Sequence, residues 1–208
     1  MLYNIDVFKV IDSIFSLICD MLLTKLYIPQ TGENIIHRSG LFEKLDEGLK
    51  RKLILVSATA GYGKTTLISD WVNKNKIPTA WFSIDERDND PNEFLSFIIY
   101  GIQKTQPNIG KNSLELLDSP GTAGLDYILE LFINDLLQAG HHLLLVLDDF
   151  HLVQNKQIHD LVSFLIDYKP KHFHIIISTR SDPPLPFARL RSQNELTEIR
   201  SSDLNLLR

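Results

Sequence analysis

The chain has 208 residues, 44% hydrophobic and 23% charged, with a formal net charge of −5. That composition suits a folded α/β domain and excludes a disordered chain, and the acidic balance offers no general field for nucleic acid or anionic membrane. One cysteine, Cys19, excludes an internal disulfide and fits a reducing cytoplasm, the compartment we expect.

The opening stretch MLYNIDVFKVIDSIFSLICDMLL is apolar but carries Asp6, Lys9, Asp12 and Asp20. It has neither the basic start of a signal peptide nor the uncharged length of a membrane span. Val7, Ile11, Ile14, Phe15 and Ile18 share one helical face, which predicts an amphipathic helix over residues 1–21. The plain reading packs it on its own domain; docking to a partner or a membrane surface is the sharper one. Residues 22–208 form the expected main domain.

Lys25 to Arg38 reads as an extended lead-in with turn chemistry at Pro29 and Gly32, followed by a short helix from Leu41 to Leu49. The apolar run Lys52 to Ser57 predicts a strand. After it stands ATAGYGKTT, Ala58 to Thr66, which opens a helix from Lys64 to Asn75. Strand, glycine-containing loop and helix are the context a phosphate-binding P-loop requires. Gly61 and Gly63 let the backbone curl, so that the N–H groups of Ala58, Thr59, Ala60, Gly61, Tyr62, Gly63, Lys64, Thr65 and Thr66 can face an anion at a helix N-terminus. Lys64 supplies a charge for the terminal phosphates, and the Thr65 hydroxyl a ligand for Mg2+. Ala58 stands where the motif usually has its first glycine, one small residue for another.

Pro78 to Ile84 alternates and predicts a second strand. The acidic loop DERDND, Asp85 to Asp90, follows, and Asp90-Pro91-Asn92-Glu93 reads as a helix start. There Asp90 caps, Pro91 suits the first turn and Glu93 reaches back. An EF-hand reading of the loop fails, because Asp90 and Ser96 occupy the positions that need Gly and Glu. Gln106 to Gly124 reads as a loop with a short helical turn at Leu114 to Leu117. Leu125 to Leu137 repeats at helical spacing and stops at Gly140.

His142 to Leu147 is nearly all apolar, as a central parallel strand should be. In LLLVLDDF, Leu143 to Phe150, it ends in two aspartates, the form of a Walker B element. Neighbouring strand residues face opposite ways, so the two play different parts. Asp148 is assigned to Mg2+. Asp149 either activates the attacking water or caps the following turn. A helix over Ile158 to Ile166 stops before Pro170. The strand Phe173 to Thr179 then leads to Arg180 in IIISTR. If this strand neighbours the first, Arg180 points toward a γ-phosphate; otherwise it is a surface arginine pairing with the acidic loop. A short helix, Phe187 to Arg191, and a last strand, Leu196 to Arg200, finish the pattern. The histidines include His141-His142, His172 and His174; His172 and His174 share a strand face, but no third zinc ligand is evident, and solvated or hydrogen-bonded histidines are the better account.

Strands alternating with helices predict a mostly parallel sheet with ligand sites at the carboxyl ends of its strands. The chain further resembles the nucleotide-binding domain of the MalT-type STAND ATPases, large ATP-binding regulators of the LuxR group. The matching segments are LLTKLYIP (Leu22 to Pro29), ATAGYGKTTLISDW (Ala58 to Trp71), AWFSIDERDNDPNEF (Ala80 to Phe94), LLLVLDDFHLV (Leu143 to Val153) and STRSDPPLPFARLR…ELTEIRSSDL (Ser178 to Leu204). The resemblance implies a three-layer α/β P-loop NTPase, ASCE/AAA-like, with five strands in the order 2-3-1-4-5. It implies a switch that is active with ATP, resting with ADP, and reset by slow hydrolysis with Mg2+. Lys64, Asp149 and Arg180 match catalytic positions, Thr65 and Asp148 the metal positions. Arg38, in IIHRSGL, matches an arginine near the adenine, although the wider class has Gly-Arg-Glu where this chain has His37-Arg38-Ser39.

Family members continue into winged-helix, helical-repeat and DNA-binding helix-turn-helix domains that these 208 residues do not include. Transcription activation and direct DNA binding are therefore not expected of this chain. The expected function is a slow regulatory ATPase module. The alternative is a nucleotide-binding interaction module without useful turnover, and self-association or a protein partner stays open. A small-molecule kinase would need an acceptor pocket and an arginine-rich lid, and no such lid is evident.

Overall fold

The computed structural model describes residues 24–30, 32, 38–119, 121 and 123–205; the helix expected over residues 1–21 lies outside them. Five strands form where the apolar runs stand: β1 (Leu53–Ser57), β2 (Thr79–Ser83), β3 (Leu143–Asp148), β4 (Phe173–Thr179) and β5 (Leu196–Arg200). All pair in parallel, in the order β2-β3-β4-β1-β5. The helices are α1 (Ser39–Gly48), α2 (Lys64–Asn75), α3 (Pro91–Gln103), α4 (Lys111–Leu117), α5 (Leu125–Gln138), α6 (Lys156–Tyr168), α7 (Phe187–Ser192) and α8 (Ser201–Leu204).

The expected class is therefore observed, whereas the order differs from 2-3-1-4-5 by the exchange of β1 and β4. Every residue of β1, β3 and β4 is buried. A strand buried on both faces reads as a plain apolar run, and nothing in such a run names its neighbour. Connectivity decides instead: β3 passes through α6 to the adjacent β4, as consecutive elements in such sheets commonly do.

Side chains alternate across the sheet. Leu53 and Leu55, Leu143, Leu145 and Leu147, and Phe173, Ile175 and Ile177 join one core with residues of α3 to α6. Ile54 and Val56, Leu144 and Val146, and Ile176 join the other, with Leu45 of α1 and Leu67, Ile68, Trp71 and Val72 of α2. Trp71 is fully buried and its Nε1 donates to Asp46 Oδ1 at 2.8 Å, which ties α2 to α1. Asp148 continues the parity of Leu144 and Val146, and Ser178 that of Ile176. Both therefore sit on the face covered by α2.

Two local expectations are met in part. The segment expected as mostly loop, 106–124, contains the full helix α4, because Leu114 and Leu117 bury against the same core as Ile128 and Leu129 of α5. At the α3 start Asp90 and Pro91 act as read, with Asp90 accepting hydrogen bonds from the N–H groups of Asn92 and Glu93 at 2.9 and 3.0 Å and Pro91 in the first turn, whereas Glu93 does not reach back to close a capping box. Among the described residues no helix is long and apolar enough to cross a membrane.

Candidate functional site

β1 ends at Ser57, and the chain turns over the sheet edge through 58–63 into α2. Gly61 and Gly63 take φ of +84° and +73°, the left-handed region that side chains disfavour. Gly63 is the residue ahead of α2, and no side chain caps that helix. Its first-turn N–H groups and positive dipole end are thus left for a ligand. Ala58 is buried, Thr59, Ala60, Gly61 and Thr66 are exposed, and Tyr62 and Thr65 are half-buried.

Lys64 is only 7% exposed, and its Nζ folds back to donate to the carbonyls of Ala58 at 2.7 Å and Thr59 at 3.2 Å. Burial lowers its pKa, opposed by the nearby Asp149 and Asp148 carboxylates. A lysine lying over its own anion-binding loop is placed to follow a phosphate that enters it.

Asp148 closes the metal side. Its Oδ2 accepts from Thr65 Oγ1 at 2.9 Å, and its Oδ1 accepts the Asp149 N–H at 3.1 Å. Burial raises its pKa, against the hydroxyls of Ser178 and Thr65. A buried carboxylate touching the P-loop threonine is a ready pair of oxygen ligands for a hard divalent cation.

Asp149 stands in the left-handed region, φ 57° and ψ 36°, at the head of the 3-10 turn Phe150–Leu152. Its carboxylate makes no cap bond to that turn, so the capping alternative is not what forms. Left-handed backbone in a residue with a Cβ persists where its surroundings over-determine it, often at functional sites. The turn brings in His151, which carried no motif signal of its own. His151 Nδ1 is buried without a hydrogen-bond partner, 3.7 Å from Asp149 Oδ1. Burial lowers the His151 pKa, opposed by Asp149. Only the geometry of the turn could reveal this residue.

Arg180 follows β4, and β4 does pair with β1, with Ser57 opposite Thr179. Its side chain is exposed, and its charge bears on both Lys64 and His151. The acidic loop is otherwise engaged: Lys25 reaches Asp85 at 2.9 Å and Asp88 at 2.7 Å, and Arg87 reaches Asp85 at 2.9 Å. Among the described residues Arg180 has no ion pair there. Beyond Arg180, Asp182 accepts from Ser57 Oγ at 3.3 Å and from both ends of the Arg200 guanidinium. Arg191 and Arg200 in turn hold Glu198 at a pKa of about 2. This network fixes the segment that presents Arg180.

Arg38 lies just ahead of α1, with Nη2 3.8 Å from where a Cβ on Gly63 would stand. Its Nη1 is buried without a partner. A buried unpaired guanidinium nitrogen beside the loop is costly unless an acceptor arrives. That orphan, the glycine turn, the uncapped helix and the Thr65–Asp148 pair together fit a magnesium–nucleotide. Of the two alternatives for the histidines, hydrogen bonding is what His142, His172 and His174 show: His142 Nδ1 lies 2.8 Å from His174 Nε2, and His172 Nε2 lies 2.9 Å from the Leu136 carbonyl.

The AAA domain family matches residues 48–182. The HTH-type transcriptional regulator MalT of Klebsiella pneumoniae is 35% identical over 182 residues, 87% of this chain and 20% of that protein. MalT of Cronobacter sakazakii is 34% identical over 181 residues, again 87% and 20%. The chain thus spans about a fifth of the length of these curated relatives. Among solved structures, a STAND protein with a tetratricopeptide repeat sensor from Pyrococcus horikoshii superposes with a TM-score of 0.56 at 20% identity, covering 83% of this chain and 24% of that one. Cdc6p from Pyrobaculum aerophilum gives 0.54 at 19%, covering 87% and 48%. The fold, the glycine loop and these matches agree: the chain belongs to the AAA domain family, is similar over most of its length to part of the MalT regulators, and shares its fold with a STAND protein.

Proposed function

We propose that this chain is a regulatory switch module that binds ATP with Mg2+ and hydrolyses it slowly to ADP, acting in the cytoplasm. The observation that carries the reading is the convergence of Lys64, Thr65, Asp148, Asp149, His151 and Arg180 at the carboxyl ends of β1, β3 and β4. In this reading the backbone of residues 58–66 and Lys64 hold the phosphates, and Arg38 satisfies its free nitrogen on the bound nucleotide. Thr65 and Asp148 hold the metal, which when bound neutralises charge building on the phosphate oxygens. Asp149 orients and deprotonates the attacking water, with His151 beside its carboxylate. Arg180 reads the γ-phosphate with its guanidinium.

Asp149 is 42% exposed at its side chain and Arg180 is open to solvent. A site so open supports slow turnover, since efficient phosphoryl transfer excludes water and completes its electrostatic shell by closure. The same openness favours the second reading, a nucleotide-binding module that senses occupancy without turnover. The relatives are named transcriptional regulators; the acidic charge of this chain argues against a direct DNA contact here.

Binding of labelled ATP to wild type and to Lys64→Ala tests the core of the proposal. Wild type should bind and the variant should lose at least about a hundredfold in affinity, equivalent to about 2.7 kcal/mol. Equal retention by both would sink the reading. In single-turnover assays, phosphate release that disappears in Asp149→Asn with ATP binding intact supports the ATPase. Tight binding with no release from wild type selects the sensor without turnover.

A further inference from the structure

We infer that Asn89, in the loop between β2 and α3, is a positioning residue for the turn that carries Asp149 and His151; the inference rests on the hydrolytic reading above. Asn89 is half-buried, 60 residues before that turn in sequence, and its side chain makes four hydrogen bonds. Its Nδ2 donates to the carbonyls of Glu86 at 3.0 Å and Leu152 at 3.2 Å. Its Oδ1 accepts from the backbone N–H of Gln154 at 2.7 Å and of Asn155 at 3.2 Å. Its own carbonyl accepts from Asn155 Nδ2 at 3.0 Å. Asn155 in turn caps α6 by accepting the Gln157 N–H at 2.9 Å. One amide therefore clamps the backbone from Leu152 to Asn155 onto the β2–α3 loop.

The consequence falls on Asp149. The turn is fixed on one side by the sheet, where the Ile84 N–H donates to the Asp148 carbonyl at 3.0 Å. Asn89 fixes it on the other side at Leu152, whose N–H donates to the Asp149 carbonyl at 3.1 Å. Between these two anchors Asp149 holds φ at 57°, a left-handed conformation that relaxes when its surroundings let go. The same anchors set the 3.7 Å between Asp149 and His151. A side chain that satisfies four backbone groups at once specifies geometry in a way that one contact does not. The loop is itself held from the far side, since Asp88 accepts the Asp85 N–H at 2.7 Å and a bond from Lys25 at 2.7 Å.

The test compares wild type with Asn89→Ala and Asn89→Asp in the full chain. Aspartate keeps the acceptor for Gln154 and Asn155 and loses both donors, placing a carboxylate oxygen against the Leu152 and Glu86 carbonyls. Three measurements are made: the dissociation constant for Mg-ATP, the single-turnover rate of phosphate release, and the melting temperature. The expected result is a rate at least about tenfold lower in both variants, on the scale of a small misplacement of a catalytic group. Affinity for Mg-ATP should stay within about twofold, because Asn89 touches none of the P-loop. A residue that served only the fold would lower the melting temperature and leave the rate of the bound complex unchanged; that result in either variant overturns the inference. If Asn89→Ala does not fold, Asn89→Asp decides. Failure of wild type to bind ATP, or binding without release, defeats the hydrolytic reading itself and is seen before either variant is made.

Discussion

Two βα connections at the same edge of the sheet have opposite fates. β2 runs into α3 through a loop whose last residue, Asp90, turns its own carboxylate onto the helix N–H groups. β1 runs into α2 through a loop whose last residue, Gly63, has no side chain to offer, and α2 starts uncapped. Both helices present the same partial positive charge at their first turn. In α3 a resident anion neutralises it and a terminus is stabilised. In α2 no side chain takes that place, and in the function proposed above a phosphate does. A helix start turns into a binding site where its capping side chain is withheld and the backbone is bent to aim the N–H groups outward.

The contrast is most directly broken by Gly63→Asp, which gives α2 the resident carboxylate that α3 has. A Cβ at φ +73° is strained and stands 3.8 Å from Arg38 Nη2. The new carboxylate competes for the anion seat and for the Arg38 charge. Nucleotide affinity should fall by at least about a hundredfold, about 2.7 kcal/mol, measured by titration calorimetry. An affinity within a few-fold of wild type would mean that the open helix start is not what holds the phosphates.

A smaller effect sharpens the contrast between the carboxylates themselves. Asp90 lies at an exposed helix start and stabilises it. Asp148 is buried with its pKa raised above the usual 3.8, so its charged form is a cost to the folded state. The sign follows: the folded protein binds this proton more tightly than the unfolded chain does. The penalty is therefore full above the folded pKa and is relieved as pH falls through it. Asp148→Asn, whose amide oxygen can accept the Asp149 N–H while its Nδ2 donates to the Thr65 hydroxyl, should raise the melting temperature of the nucleotide-free protein at neutral pH, by about 2–4 °C per kcal/mol recovered. It should also abolish the extra stabilisation that Mg2+ adds to bound nucleotide. In wild type that Mg2+ increment should shrink as pH falls, since the metal and the proton compete for one carboxylate. A lower melting temperature in the nucleotide-free variant would contradict the argument.

The smallest effect is at the other helix. Asp90→Ala leaves two N–H groups of α3 without their acceptor and should cost about 1 kcal/mol, a fall of roughly 2–4 °C by calorimetry. Nucleotide affinity should not move. A loss of affinity in this variant would show that the two helix starts are coupled rather than independent.

Much of this contrast was legible in the residues. Gly61, Gly63, Lys64 and Thr65 announce the loop, Asp90-Pro91 announces the cap, and the apolar run into Asp148-Asp149 announces the acidic strand end, because each is a signal carried within a few residues. Element types followed for the same reason, since alternation and helical spacing are local. The helix α4 was only partly legible, because Leu114 and Leu117 gain their reason from α5, which packs against them.

What the sequence determined by itself was therefore the succession of strands and helices and the glycine turn between β1 and α2. Tertiary structure alone decided that β4 lies between β3 and β1, which puts Ser178 beside Asp148 and Arg180 beside the loop. It decided that Asp149 takes a left-handed turn, that His151 faces it, and that Asn89 clamps that turn. The physical reason is range. Local patterns are fixed by the pitch of a helix and the pleat of a strand, and these repeat within a few residues. Strand neighbours and the partners of a buried amide are chosen by burial and hydrogen bonding between segments that lie 63 to 66 residues apart at Asn89.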